Sequence, residues 1–329
     1  MHFATDPTGW MRLGSAEVGI GWRRENANMK EQNSMGIRTA VTAALFALGA
    51  MAIAGGCGVS AVSAPEDGID KIVGGTTATA SAEVSASTVA VVIDETWLTQ
   101  LRKTCSGTLI GKRVVLTADH CFAAGPDCRI LFALDVLDPN AASVKCKAKR
   151  GAGADIALAY LEEDAPSGYE PVPYLTAKDE LKVDVPIILA GYGMTQMDAD
   201  TTRGTLRFKE QKISMLDPER KEFRYDGSGG CNGDSGGPAY VRNDKGGLSL
   251  AGVHIAGDYR CRLSGTNTDV RYFTDWIAKT LAEESGGQID CTQDVPPDSQ
   301  YTCAQQAQWN KCNESWMKGF CNISCGRCR

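Results

Sequence analysis

The stretch Cys231-Asn232-Gly233-Asp234-Ser235-Gly236-Gly237-Pro238 sets one Ser inside a glycine-rich turn. A Ser hydroxyl is a poor nucleophile until a base accepts its proton, so a reactive reading of Ser235 requires a partner elsewhere. The chain offers three His. His2 lies ahead of everything that reads as mature protein, which leaves His120 and His254. His120 stands in Leu116-Thr117-Ala118-Asp119-His120-Cys121, a β-branched run passing into a turn that presents the imidazole. An acid to orient that ring is supplied by Asp155-Ile156-Ala157-Leu158, an Asp leading an apolar strand, with Asp119 and Asp164 as rivals. The glycines beside Ser235 serve a second purpose. They let the backbone N–H groups of Gly233 and Ser235 approach a developing oxyanion.

Around these motifs the chain reads as short β-branched runs separated by Gly, Asp, Asn and Ser turns. The expected strands include Thr88 to Asp94, Val114 to Thr117, Ile156 to Leu161, Val185 to Ala190 and Leu248 to His254. Many short strands with such turns predict an all-β barrel or sandwich. One helix is expected at Tyr272 to Glu284, where Phe273, Ile277 and Leu281 recur at i, i+4 and i+8. Composition agrees: 329 residues, 43% hydrophobic, 22% charged and 36 Gly describe a globular, turn-rich chain. A net charge of −6 argues against a nucleic-acid partner. Three His leave little for a His-built metal centre, and neither metal nor cofactor is expected. Thirteen Cys point to an oxidising compartment.

His120, Asp155 and Ser235, in that order, together with Ile72-Val73-Gly74-Gly75, resemble the chymotrypsin-like (trypsin-family) serine peptidases over residues 72–284. The order separates this fold from subtilisins and α/β-hydrolases. The resemblance implies an all-β, chymotrypsin-like double barrel with a C-terminal helix. It implies peptide hydrolysis through an acyl-enzyme, protein or peptide substrates, and an oxyanion hole from Gly233 and Ser235. It also implies a zymogen: an activating peptidase cuts after Lys71, and the new ammonium of Ile72 inserts beside Asp234. A buried charge left unpaired is costly, so the uncleaved site is expected to be collapsed. The family carries Ala where this chain has Asp119.

The same resemblance pairs Cys105 with Cys121 beside the His, and Cys231 with Cys261 at the primary specificity pocket. Cys128 and Cys146 then pair by elimination. Counting back from Ser235 places Gly229 at the pocket base, where trypsins carry Asp, with Gly257 and Gly265 at its walls. Three glycines predict an open pocket without a floor acid, which disfavours Lys or Arg before the scissile bond. His254 sits where glutamate-specific relatives place a pocket His; a packed strand His is the alternative.

Residues 1–34 form an upstream stretch in which Met29 offers a translation start, as does Met35. Residues 35–56 read as a secretory signal: basic Lys30 and Arg38 lead into an apolar run from Ala40 to Ala54, too short for the roughly 20 residues of a membrane span. Ala54-Gly55-Gly56-Cys57 resembles a bacterial lipobox. In that reading Cys57 takes a lipid, tethers the chain to a membrane and accounts for the odd Cys; ordinary cleavage at small residues is the alternative. Residues 57–71 read as a linker or propeptide, 285–290 as a second linker, and 291–329 as a separate disulfide module. Cys291, Cys303, Cys312, Cys321, Cys325 and Cys328 resemble the ShK toxin-like (ShKT) domain, whose pairing implies Cys291–Cys328, Cys303–Cys321 and Cys312–Cys325. The module's ligand is open; Trp309, Trp316 and Phe320 are its contact candidates. The sequence therefore describes a secreted, periplasmic or surface-anchored endopeptidase. Its alternative is a silent peptidase fold that binds through the module.

Overall fold

A computed structural model of the chain describes residues 72–93, 104–196, 200–284, 294–297 and 300–328. The signal segment, Cys57, Lys71, the 285–290 linker and Cys291 lie outside the described residues.

Six strands, of which β2 and β4 are dominated by β-branched residues, close the first barrel: β2 (Thr88–Val92), β3 (Thr104–Gly111), β4 (Val114–Thr117), β5 (Asp127–Phe132), β6 (Ala142–Lys149) and β7 (Ala157–Leu161). They run in the order β2-β3-β4-β7-β6-β5, every neighbour antiparallel. The period-2 geometry of a strand is plain in β6, where Val144 and Cys146 point inward while Ser143, Lys145 and Lys147 face water. In β2 and β4 every residue is buried, since both faces of these strands are covered.

The second barrel holds β8 (Pro186–Gly191), β9 (Arg207–Asp217), β10 (Glu222–Asp226), β11 (Pro238–Arg242), β12 (Leu248–Gly257) and β13 (Ser264–Asp269). Its order is β9-β10-β13-β12-β11-β8, closed by β8 against β9, with a short β1 (Thr76–Thr77) added outside β9. Helix α1 (Thr274–Glu284) follows a 3₁₀ turn at Val270–Phe273. Phe273, Ile277 and Leu281 are buried, as their spacing requires. Among the described residues no helix is long and apolar enough to cross a membrane. The double barrel is the fold expected from the sequence, and strand limits agree to within a few residues. The largest difference is β12, which continues past His254 because Ala256 and Gly257 still pair with Thr266 and Gly265 of β13.

The C-terminal residues form a small body around Cys303, Met317 and Cys321. Helix α2 (Cys303–Gln308) begins in a capping box between Thr302 and Gln305. Val295, 4% exposed, belongs to the same apolar cluster as Val270, Phe273 and Ile277, and Phe320 packs against that cluster. Lys178 Nζ donates to the Tyr301 carbonyl at 3.0 Å. The segment is thus joined to the barrels by apolar contact as well as by sequence.

Candidate active site

Strand pairing, not sequence proximity, brings the first two candidates together. Antiparallel β4 and β7 align Thr117 with Ala157, so the residues just after β4 and just before β7 share one edge of the barrel. His120 lies in the 3₁₀ turn Asp119–Phe122 at that edge and Asp155 directly faces it. Asp155 Oδ2 is 2.7 Å from His120 Nδ1, and its Oδ1 accepts from the His120 backbone N–H at 2.9 Å. Burial lifts the Asp155 carboxyl, but the His120 side-chain and backbone donors outweigh it, and its pKa falls below the ordinary value. The carboxylate is charged and the ring orientation fixed. Thr268 Oγ1 donates to the Asp155 carbonyl at 3.0 Å, anchoring this turn to the second barrel.

The Ser235 loop reaches the same edge from the other barrel. Ser106 of β3 is the joint: its N–H donates to the Ser235 carbonyl at 2.8 Å and its hydroxyl to the Gly233 carbonyl at 2.9 Å. The same hydroxyl accepts from the Tyr192 N–H at 3.0 Å. Gly236, at φ +82°, packs against Thr117 and Ala118, where a Cβ would lie 2.0 Å from Thr117 Oγ1. Ser235 therefore stands beside the turn that carries His120, and the Cys121 sulfur is 3.8 Å from the Ser235 carbonyl.

The loop that carries Ser235 is held by backbone hydrogen bonds. The Asn232 carbonyl accepts from the Met194 N–H at 2.9 Å, which turns the N–H of the same trans peptide, that of Gly233, the opposite way. Among the described residues neither the Gly233 nor the Ser235 N–H has an acceptor. Asp234, the residue between them, is buried. Its carboxylate, 2% exposed, accepts from the Gly193 N–H at 2.8 Å and the Cys231 N–H at 2.9 Å. Two backbone donors hold it without an ammonium. They do not meet the whole cost: burial still pushes the pKa up to about 6, against those two bonds and the fields of Arg207 and Arg203. Ile72 is already 1% exposed, and Val73 packs with Met194 and the Cys231–Cys261 bridge.

A family model described as Trypsin matches residues 72–277. The chain belongs to the trypsin family. A trypsin-like protease of Streptomyces glaucescens is 27% identical over 217 residues, 56% of this chain and 78% of that protein. Trypsin eta of Drosophila melanogaster is 26% identical over 257 residues, 68% of this chain and 92% of its own length. A chymotrypsin-like elastase family member 3B from Macaca mulatta is 29% identical over 225 residues, covering 54% and 82%. A solved structure described as the atomic resolution structure of HBP superposes with a TM-score of 0.53 at 21% identity, over 64% of this chain and 96% of that one. That likeness speaks to the trypsin-family fold alone.

The glycines expected to line the pocket are closely approached by other groups. A Cβ on Gly229 would lie 2.5 Å from the Tyr225 hydroxyl, and one on Gly265 only 2.1 Å from it. A Cβ on Gly230 would lie 2.3 Å from His254 Nε2, and one on Gly257 2.9 Å from the Gly230 carbonyl oxygen. A side chain at any of these glycines would meet Tyr225, His254 or the facing wall. His254 is 4% exposed, and burial pushes its imidazole down to about 4, so it is neutral near pH 7. Its Nδ1 and the amide of its cross-strand neighbour Asn267 make no hydrogen bond of normal geometry.

Other side chains were not legible as part of the site. Asp119, a rival for the acid, instead takes Arg150 in a bidentate pair, Nε to Oδ1 at 2.7 Å and Nη2 to Oδ2 at 2.6 Å. Asp164 is likewise held away, by Arg113 at 2.5 Å. Bridges join Cys105 to Cys121, Cys128 to Cys146, Cys231 to Cys261, Cys303 to Cys321 and Cys312 to Cys325. Cys328 is also bridged; its expected partner, Cys291, lies outside the described residues. Cys105, His120 and Cys121 cluster within metal-binding reach, but the bridge takes both thiolates and leaves one ligand.

Proposed function

We propose that the chain is a secreted serine endopeptidase with Ser235 as nucleophile, His120 as general base and acid, and Asp155 as the group that orients the imidazole. The observation that carries this reading is the His120–Asp155 pair at 2.7 Å, set beside a Ser whose loop presents two unclaimed N–H groups. Ser235 Oγ attacks the scissile carbonyl while His120 takes its proton. Asp155 holds Nδ1–H and stabilises the imidazolium. The tetrahedral oxyanion sits against the N–H groups of Gly233 and Ser235, which need no reorganisation at that moment. His120 then gives the proton to the leaving amine, and water repeats the sequence on the acyl-enzyme.

Activation follows from Asp234. Cleavage after Lys71 by a peptidase of basic specificity frees the Ile72 ammonium, which compensates a carboxylate that backbone donors satisfy only in part. Gly229 offers no acid to a substrate Lys or Arg, so the residue before the cleaved bond is non-basic. The C-terminal body, compatible in its bridges with an ShKT module, acts as a docking element. The upstream segment directs export, with Cys57 as the candidate lipid anchor.

A fluorophosphonate probe tests the central claim. Activated protein becomes covalently labelled, and Ser235→Ala does not. An unlabelled wild-type chain would leave the alternative, a silent fold that binds through its C-terminal body.

A further inference from the structure

We infer that Tyr225 sets the depth of the primary pocket and confines the residue before the scissile bond to small, uncharged side chains. The inference rests on the peptidase reading above and narrows its substrate class. Tyr225 lies on β10, opposite Gly265 of β13 and Ile213 of β9, and is fully buried. That register points its ring beneath the two glycines assigned to the pocket. The hydroxyl accepts from the Gly230 N–H at 2.7 Å, so the ring is pinned at its far end as well as at its backbone. It occupies the volume that Gly229 and Gly265 vacate, to within the reach of a single Cβ at either position.

The remaining sides are closed in the same way. His254 fills the space at Gly230, and the Gly257 wall approaches the Gly230 carbonyl closely enough to exclude any side chain there. A methyl or hydroxymethyl group fits such a shallow dish. An aromatic ring or a branched chain would have to displace a phenol held in a closed barrel. A carboxylate or guanidinium would meet a neutral imidazole and a phenol, with no countercharge to offset its desolvation. Each methylene a pocket accepts or refuses is worth about 10- to 200-fold in kcat/KM, so a missing floor should produce a steep preference.

The test uses the full chain cleaved after Lys71, with active sites counted by the fluorophosphonate probe and a peptide series carrying Ala, Ser, Leu, Phe, Glu or Arg before the cleaved bond. Wild type is expected to favour Ala and Ser over Phe, Glu and Arg by at least about 100-fold. Tyr225→Ala should raise Leu and Phe cleavage at least tenfold per labelled site; if that variant is not labelled, Tyr225→Leu, which keeps apolar volume in the barrel, is read the same way. A labelled wild type that cuts after Phe, Glu or Arg as well as after Ala overturns the inference and leaves the peptidase reading standing. A small-residue preference unchanged in Tyr225→Leu overturns the role of Tyr225. A wild type that is never labelled removes the peptidase reading itself.

Discussion

Cleavage after Lys71 should stabilise the protein in a way that depends on pH, and Asp234 sets the size of the effect. Burial raises this carboxyl from 3.8 to about 6 in the intact chain. The folded intact chain thus holds the proton more tightly than the unfolded one. The contribution of Asp234 to stability is greatest below pH 3.8, falls as pH rises, and levels off above about 6. A shift of this size corresponds to roughly 3 kcal/mol at neutral pH, of which about 2 develops between pH 4.5 and 7.5. An Ile72 ammonium beside the carboxylate removes that penalty. Intact and cleaved Ser235→Ala proteins, both unable to digest themselves, should therefore differ more in Tm at pH 7.5 than at pH 4.5. For a domain of this size the extra gap is about 4–8 °C. Parallel pH profiles for the two forms, or a cleaved form that is the less stable at pH 7.5, would refute the pairing of Ile72 with Asp234.

Asp155→Asn should leave the fold intact and lower kcat by about 10⁴, measured on a P1-Ala peptide, because the imidazole loses both its tautomer and its counterion. Asp119→Ala should release Arg150 and raise amide exchange in residues 150–154, read by mass spectrometry, while probe labelling persists. Val295→Ala should destabilise the barrels together with the C-terminal body by about 1–3 kcal/mol in urea titration, since the side chain is buried in their common apolar cluster. A body that melts alone, with the barrels unchanged, would contradict that contact.

What could be read from the sequence was chemistry encoded over a few neighbouring residues. Ser235 among glycines, His120 after a β-branched run and Asp155 before an apolar one each announce a local geometry, and Phe273, Ile277 and Leu281 announce a helix face. The surroundings of the pocket glycines were not legible for a physical reason: a glycine can mark either empty space or space already taken. Gly229 and Gly265 are of the second kind, and what fills them is settled by the register of β10 on β13, which no local pattern reports. Asp119 was similarly opaque. Its partner Arg150 lies beyond β5 and β6 in sequence, and the pairing of both β4 and β6 with β7 brings the two together. The hold on the Ser235 loop depended on the Gly193 N–H, a backbone group that sequence motifs do not name.

Ser106 gives the site a mechanical character. Its N–H holds Ser235, its hydroxyl holds Gly233 and Tyr192, and its carbonyl accepts from Thr117 Oγ1 at 2.8 Å in the strand leading to His120. One residue is thus a keystone for Ser235, its glycine-rich loop and the strand that leads to His120, across the seam between barrels. A keystone fails all at once. Slippage along the seam would break these bonds together, so the site does not drift gradually out of alignment but exists either assembled or dismantled.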